Sequence, residues 1–332
     1  MLLAGVERAS IRAAAECLAA GRLLGLPTET VYGLAARADD DAAVGGIFAA
    51  KGRPADHPLI VHVLDAEAAV PFAAELPESA RRLMAAFWPG PLTVIVPRRP
   101  GVATAAAGGA DTLALRAPAH PVARAVLAAA AALGVRGVAA PSANRFGRVS
   151  PTLAQHVVDE FGAELLVLDG GACDVGIESS IVDCSGPHPV LLRPGQIEPG
   201  RIEAALGQPL APPGERAVRA PGTLAAHYAP RATVRLFTSA QLQSRLAAAR
   251  DQGLPEGLAV YSRLAPAPAA GLILRPMPPD AAQAAHELFA TLRELDAQGA
   301  REIWVEAPPP DPAWDGVRDR LSRAAATFTD AD

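Results

Sequence analysis

Leu23-Leu24-Gly25-Leu26-Pro27-Thr28-Glu29-Thr30 is the stretch on which the fold class turns. Four mainly apolar residues of strand length stop at a proline and open into a polar segment, which reads as a short buried strand leading into a loop. Upstream, residues 9–20 repeat Ala, Leu and Ile with helical period and end at Gly21. Downstream, residues 41–50 predict a helix that delivers Lys51-Gly52-Arg53-Pro54, and residues 59–63 predict an apolar strand. Further strands are expected at 92–96, 112–116, 165–168 and 180–183, and further helices at 121–132 and 152–160. Strands and helices alternate, so the expected class is an α/β layer fold.

Between residues 208 and 230 the pattern lapses into Pro209, Pro212, Pro213, Gly214, Pro221, Gly222 and Pro230, the composition of a linker. Beyond it, strands are expected at 234–237, 258–261 and 302–305, with helices at 281–297 and 314–326. The expected organisation is a large domain (1–207), a Pro-rich linker or lid (208–230) and a smaller α/β domain (231–332). The Ala/Pro-rich patch 264–270 reads as a loop, and no internal repeat is evident.

The chain has 332 residues, half of them hydrophobic, and a formal net charge of −5. That length exceeds the usual single domain, and that charge argues against a broad nucleic-acid-binding surface, which needs excess Lys and Arg. The first residues leave no room for a secretory apolar region, and the apolar run 125–135 is too short to span a bilayer, so a cytoplasmic protein with no membrane partner is expected. Cys17, Cys173 and Cys184 form neither C-x-x-C pairs nor an even set and read as reduced packing residues.

Although Lys and Arg together number 30, Lys51 is the only lysine, and Asn144 is the only asparagine. A sequence that has drifted to Arg and Ala wherever tolerated keeps such residues where Arg or Asp cannot substitute, since lysine offers a compact ammonium rather than a planar fork. No G-x-x-x-x-G-K-[ST] occurs, and the 29 glycines form no G-x-G pair, so Walker and dinucleotide sites are not expected. Lys51-x-Arg53 and Ser142-x-Asn144 would instead converge two cations, a hydroxyl and an amide on one concave site, a set suited to a phosphate chain.

Taken together these residues resemble the YrdC-like threonylcarbamoyl-AMP synthases, in the longer form with an extra C-terminal domain. The resemblance lies in residues 27–34 (Pro-Thr-Glu-Thr-Val-Tyr-Gly-Leu), Lys51-Gly52-Arg53-Pro54, residues 58–63 (Pro-Leu-Ile-Val-His-Val), Trp88-Pro89-Gly90-Pro91-Leu92-Thr93, Arg116-Ala117-Pro118, Pro141-Ser142-Ala143-Asn144, Gly176-Ile177-Glu178-Ser179-Ser180 and Leu192-Arg193-Pro194-Gly195. Pro221-Gly222, His227-Tyr228 and Pro230 are similar to the family's linker, and Asp319-Arg320-Leu321 with Arg323-Ala324-Ala325 to the end of its second domain.

The resemblance implies a YrdC-like twisted mixed sheet with flanking helices, plus a smaller Rossmann-like α/β C-terminal domain. It implies formation of threonylcarbamoyl-AMP and pyrophosphate from L-threonine, bicarbonate or CO2 and ATP, for N6-threonylcarbamoyladenosine beside the tRNA anticodon. Lys51 and Arg53 would be catalytic. They would bind ATP together with His57, Thr112, Ser142, Asn144, Ser150, Arg193 and Tyr228. Thr30, His62, Arg116, Ala140 and Ser180 would bind threonine, with the guanidinium taking the carboxylate. Mg²⁺ would be held through the phosphates rather than by dedicated protein ligands. A downstream tRNA threonylcarbamoyl transferase is the implied partner, with direct tRNA contact left open.

Two positions depart from the family pattern: His57 stands where Asn is common, and Ser180 where Thr is common. His227-Tyr228 reads as a packing anchor or, the preferred reading, a lid, Trp88-Pro89-Gly90-Pro91 as a rigid corner, and Arg98-Arg99 as a solvated loop. One alternative is a carbamoyl-transfer enzyme of hydrogenase maturation, which would carry zinc-finger Cys pairs and an acylphosphatase segment, neither visible here. Another is an RNA-binding module of translation or ribosome assembly, which would need a basic stripe.

Overall fold

The computed structural model describes residues 1–332 except 213, 215–219, 223–225, 265 and 327–332. Parts of the expected linker and one residue of the Ala/Pro-rich patch therefore lie outside the described residues. Two compact units emerge: Met1–Phe146 with Ser150–Thr223, and Gly147–Val149 with Leu224–Asp332.

In chain order, the first unit holds β1 (Leu2–Ala4), α1 (Arg8–Ala19), β2 (Leu24–Leu26), β3 (Gly33–Arg37), α2 (Asp41–Lys51), β4 (Ile60–His62), α3 (Ala66–Ala69) and α4 (Glu78–Phe87). It continues with β5 (Leu92–Pro97), β6 (Thr112–Arg116), α5 (Pro121–Ala132), β7 (Val138–Ala139), α6 (Ala154–Phe161), β8 (Leu166–Asp169), β9 (Ser180–Asp183), β10 (Val190–Arg193) and α7 (Pro199–Leu206). The strands form one ten-stranded sheet in the order β1-β8-β2-β3-β7-β4-β6-β5-β9-β10. It is mixed: β4 runs parallel to β6 and β5 to β9, while β2–β3, β3–β7 and β5–β6 are antiparallel.

Both faces are covered. On one, Ala14, Ala15 and Leu18 of α1 and Val122, Val126 and Leu127 of α5 pack on Leu24, Leu26, Ala35 and Val138. On the other, Val44, Ile47 and Phe48 of α2 and Leu83 and Met84 of α4 meet Leu34, Val61, Val94 and Leu115. Each fully buried side chain of this kind contributes about 1.5–3 kcal/mol of transfer free energy. The three cysteines are free and buried, as packing residues should be.

Local chemistry sets the helix ends. Asp40 accepts the amides of Ala42 and Ala43 at the start of α2, and Gly52 closes its other end at φ 65°, which a residue without Cβ adopts readily. That stop presents Lys51 at the last helical position. In α5, His120 caps the Val122 amide and Pro121 occupies the first turn, where its missing N–H costs nothing.

The second unit holds β11 (Thr233–Phe237), α8 (Ser239–Gln252), β12 (Leu258–Ser262), β13 (Ile273–Pro276), α9 (Ala281–Ala297), β14 (Glu302–Glu306) and α10 (Asp315–Ala325). Its four strands, ordered β11-β14-β12-β13, are all parallel. Glu306, at the end of β14, accepts from the hydroxyls of Ser239 at 2.7 Å and Ser262 at 2.8 Å and from the Arg263 amide and guanidinium, both at 2.7 Å. Burial acts to raise its pKa, but these donors and the Arg263 charge outweigh it and hold the carboxylate below its ordinary range. One side chain thus ties the ends of β12 and β14 to the start of α8. Glu306→Ala is expected to destabilise this unit by about 3 kcal/mol, read as a lowered midpoint in thermal unfolding.

The structure corrects the expected solvated Arg98-Arg99 pair for Arg98 alone, since Arg99 is exposed. Arg98 is half-buried, and its guanidinium donates to the carbonyls of Ala110 at 2.7 Å and Val102 at 3.1 Å, so it fastens the loop after β5 instead of standing in solvent. Among the described residues, no helix is long and apolar enough to cross a membrane.

Candidate active site

Two groups of polar residues lie in the first unit. The first surrounds Lys51, which is 3% exposed and donates from Nζ to the carbonyls of Ser142, at 2.6 Å, and Asn144. The lone lysine and the lone asparagine are therefore in contact. Burial, then the neighbouring Arg53 charge, pushes the Lys51 ammonium well below its ordinary pKa, with Glu160 and Glu178 opposing.

The Lys51 carbonyl accepts the amide of Phe146, and that phenyl ring is flanked by Arg53, 5.9 Å from its centroid, and by the His57 ring at 5.6 Å. Arg53 also donates to the Pro58 carbonyl at 3.0 Å. Ser142 is fixed by its bridge to Gly33, and the Asn144 side chain donates to the Arg145 carbonyl at 2.7 Å. Ser150 is fully buried and donates to Glu178. Arg53 and His57 thus flank one aromatic ring, the backbone of that Phe146 is tied to Lys51, and Lys51 in turn holds the carbonyls of Ser142 and Asn144.

The second group centres on Arg116, at the end of β6 and in register with His62 of β4. Its guanidinium donates to Gly90 O at 3.3 Å, Thr30 Oγ1 at 2.8 Å and Glu29 Oε1 at 2.7 Å. All of these groups are buried, and the Arg116–Glu29 ion pair is only 4% and 7% exposed. Gly90 belongs to the expected corner, whose Trp88–Pro89 bond is cis. Thr30 also bonds Thr28 at 2.9 Å, and Thr28 closes its own turn onto Val31 O at 2.6 Å.

Burial and then the Arg116 charge drive the His62 pKa down to about 3, so its imidazole is neutral at physiological pH. For Glu29, burial acts to raise the pKa, but the Arg116 charge and hydrogen bond outweigh it and the group stays ionised. Ala140 leads into the first group, its amide bonded to Ile60 O at 3.1 Å.

The remaining expected residues are placed differently. Arg193 is buried and gives its guanidinium to Ser179 O at 3.0 Å, Ser179 Oγ at 3.1 Å and Pro221 O at 2.9 Å, which ties the loop entering β9 to the linker. Ser180 opens β9, its amide bonded to Pro91 O at 3.1 Å. Thr112 opens β6, half-buried and opposite Pro97, four residues and about 13 Å along the strand from Arg116. Tyr228 belongs to the second unit, buried at φ 61° and stacked on Phe289 at 5.4 Å, with Arg320 at 5.5 Å from its ring.

Sequence reasoning assigned nothing to Glu29, Glu178, Ser179 or Phe146. Glu29, Glu178 and Ser179 stand inside motif segments that were quoted, so their positions were the available signal. Gly195 supports the same region: a Cβ there would sit 2.5 Å from Ser180 N and 2.9 Å from Glu178 O. Gly195→Ala is expected to cost about 1–3 kcal/mol and to raise the KM for the amino-acid substrate by displacing Ser180. Thermal unfolding and steady-state kinetics on the purified variant check both.

A family model described as "Telomere recombination" (Sua5_yciO_yrdC) matches residues 16–195, and one described as "Threonylcarbamoyl-AMP synthase, C-terminal domain" matches residues 197–326. A threonylcarbamoyl-AMP synthase of Pyrococcus abyssi is 43% identical over 235 residues, covering 69% of this chain and 68% of that protein. One from Bacillus subtilis is 41% identical over 229 residues, with 67% and 65% covered, so this chain spans about two thirds of these relatives' length. One from Schizosaccharomyces pombe is 34% identical over 352 residues, with 90% and 84% covered. The crystal structure of P. abyssi Sua5 complexed with L-threonine matches with a TM-score of 0.88 at 35% identity, covering 98% of this chain and 97% of that one. The sole lysine bonded to the Ser-x-Asn segment, the mixed ten-stranded sheet and the parallel second sheet agree with these matches, and the chain belongs to the Sua5/YciO/YrdC family, in the form that carries the threonylcarbamoyl-AMP synthase C-terminal domain.

Proposed function

We propose that this chain forms threonylcarbamoyl-AMP and pyrophosphate from L-threonine, bicarbonate or CO2, and MgATP. The observation that carries this reading is the contact of Lys51 with Ser142 and Asn144, together with a second buried polar centre at Arg116 in the same unit. Cations with neutral donors suit a triphosphate. A guanidinium, hydroxyls and a neutral imidazole suit a small hydroxylated amino acid.

In the reaction, threonine's ammonium loses a proton and the amine attacks CO2. The new C–N bond leaves an N-carboxylate once the second proton departs. A carboxylate oxygen then attacks the α-phosphorus, the P–O bond to the β-phosphate breaks, and pyrophosphate leaves. No protein nucleophile is needed. Lys51 and Arg53 would hold the phosphates in line and offset the charge that builds on them. His57, Thr112, Ser142, Asn144, Ser150 and Arg193 would complete the nucleotide site, and Thr30, His62, Arg116, Ala140 and Ser180 the threonine site. Mg²⁺ enters as the MgATP substrate. The Lys51 group offers cations, a hydroxyl and an amide, which fit phosphate oxygens rather than the ion.

The product would be consumed by a transferase that modifies the adenosine beside the tRNA anticodon, work that places the protein in the cytoplasm. The test is pyrophosphate release from MgATP and bicarbonate, comparing L-threonine, L-serine and no amino acid, with the nucleotide product identified by mass. Threonine-dependent release with a threonylcarbamoyl-AMP mass is the expected result. ATP binding with no release under any condition would remove the reading.

A further inference from the structure

Glu29 is the one buried acid of the Arg116 centre, and the proposed reaction leaves it without a task. It is 5% exposed, and only one of its carboxylate oxygens is used: Oε1 accepts from Arg116 at 2.7 Å, whereas Oε2 is buried with no hydrogen-bond partner. The amides of Glu29 itself and of Ala119 lie close enough to favour the carboxylate form, yet neither bonds Oε2. A buried, ionised oxygen left in that state is out of keeping with the satisfied groups around it.

The neighbouring guanidinium is also only partly used. Three acceptors take its hydrogens, Gly90 O, Thr30 Oγ1 and Glu29 Oε1, while arginine has five N–H groups. A fixed cation and a fixed anion thus stand side by side, each with spare capacity. An α-amino acid is a zwitterion whose carboxylate and ammonium are separated by one carbon, so it complements that pair in opposite sense, carboxylate to Arg116 and ammonium to Oε2.

Glu29 is the acidic acceptor of this centre, since His62 is uncharged at physiological pH and the Thr28 and Thr30 hydroxyls already bond each other and the backbone or Arg116. We propose that Glu29 takes the α-ammonium of the amino-acid substrate through Oε2 and thereby selects amino acids over the corresponding hydroxy acids. This rests on the threonine-using reading above and names the residue that reads the amine.

The test is calorimetric binding to the full chain of L-threonine and of 3-hydroxybutanoate, which differs from threonine only in lacking the amine. Glu29→Gln keeps shape and removes charge. It is expected to weaken threonine binding ~10- to 100-fold while leaving 3-hydroxybutanoate binding unchanged or stronger, because Arg116 is freed. Equal weakening of both ligands would assign Glu29 a merely structural role and overturn the proposal, as would undiminished threonine binding. If Glu29→Gln does not fold, Glu29→Asp carries the test: its retracted carboxylate lowers the preference for threonine over the hydroxy acid, and an unchanged preference overturns the proposal. Wild-type protein that binds ATP but no threonine would instead overturn the synthase reading, so the two failures are distinguishable.

Discussion

Lys51→Ala is expected to cut threonine-dependent pyrophosphate release at least ~1,000-fold. The ammonium is buried and held by two carbonyls of the loop that carries Ser142 and Asn144, so it has a fixed direction before any phosphate arrives. Removing it takes a charge from the triphosphate and also frees that loop. The stability effect is smaller, about 2 kcal/mol, because the folded site disfavours the charged lysine that it loses.

Lys51→Arg is the sharper variant. A planar fork does not occupy the place of a compact ammonium bonded to two backbone oxygens, so activity is expected to fall by about two orders of magnitude even though charge is kept. Near-normal turnover in either variant would remove Lys51 from the chemistry. Burial and Arg53 lower the lysine's proton affinity, whereas phosphates raise it, so MgATP binding at alkaline pH is expected to take up a proton. Binding enthalpies in buffers of different ionisation heat read this directly, and the uptake is absent in Lys51→Ala.

Arg116→Gln is expected to raise the threonine KM about 100-fold and to destabilise the protein by about 3–5 kcal/mol. Both effects have one origin: the guanidinium joins Thr30, Gly90 and Glu29, and its loss leaves a buried carboxylate with no counter-charge. The pH dependence follows with its sign. The folded-state pKa of Glu29 is held below its ordinary 4.5, so its stabilising contribution is fully present above about that pH and is lost as pH falls through the lowered value. The stability gap between wild type and Arg116→Gln should therefore be widest near neutrality and narrow in acid, as urea unfolding at a series of pH values would measure. A constant gap, or an unchanged threonine KM, would contradict the assignment.

Much of the fold was legible in the sequence because its elements carry strong local signals. Strand Thr112–Arg116 and helices Pro121–Ala132 and Ala281–Ala297 stand where the apolar pattern put them. Elements with weak signals were not announced. β3 reads Gly-Leu-Ala-Ala-Arg and is buried on both faces, so it shows no alternation. α8 buries only Leu242 and Leu246, too thin a stripe for periodicity to mark.

The site divides in the same way. The sequence alone singled out Lys51 and Asn144, because a residue type that survives once in a biased composition stands out without any coordinates. It also placed Thr30, His62 and Arg116 within recognisable segments. Only the tertiary structure could decide that Lys51 grips the carbonyls of Ser142 and Asn144, and that Phe146 is shared by Arg53 and His57. It alone gave Arg193 to Ser179 and Pro221, and Arg116 to Glu29. The physical reason is range: period, caps and composition act over a few residues, whereas these contacts join side chains up to 93 positions apart, where only the packing of the sheet sets the distance.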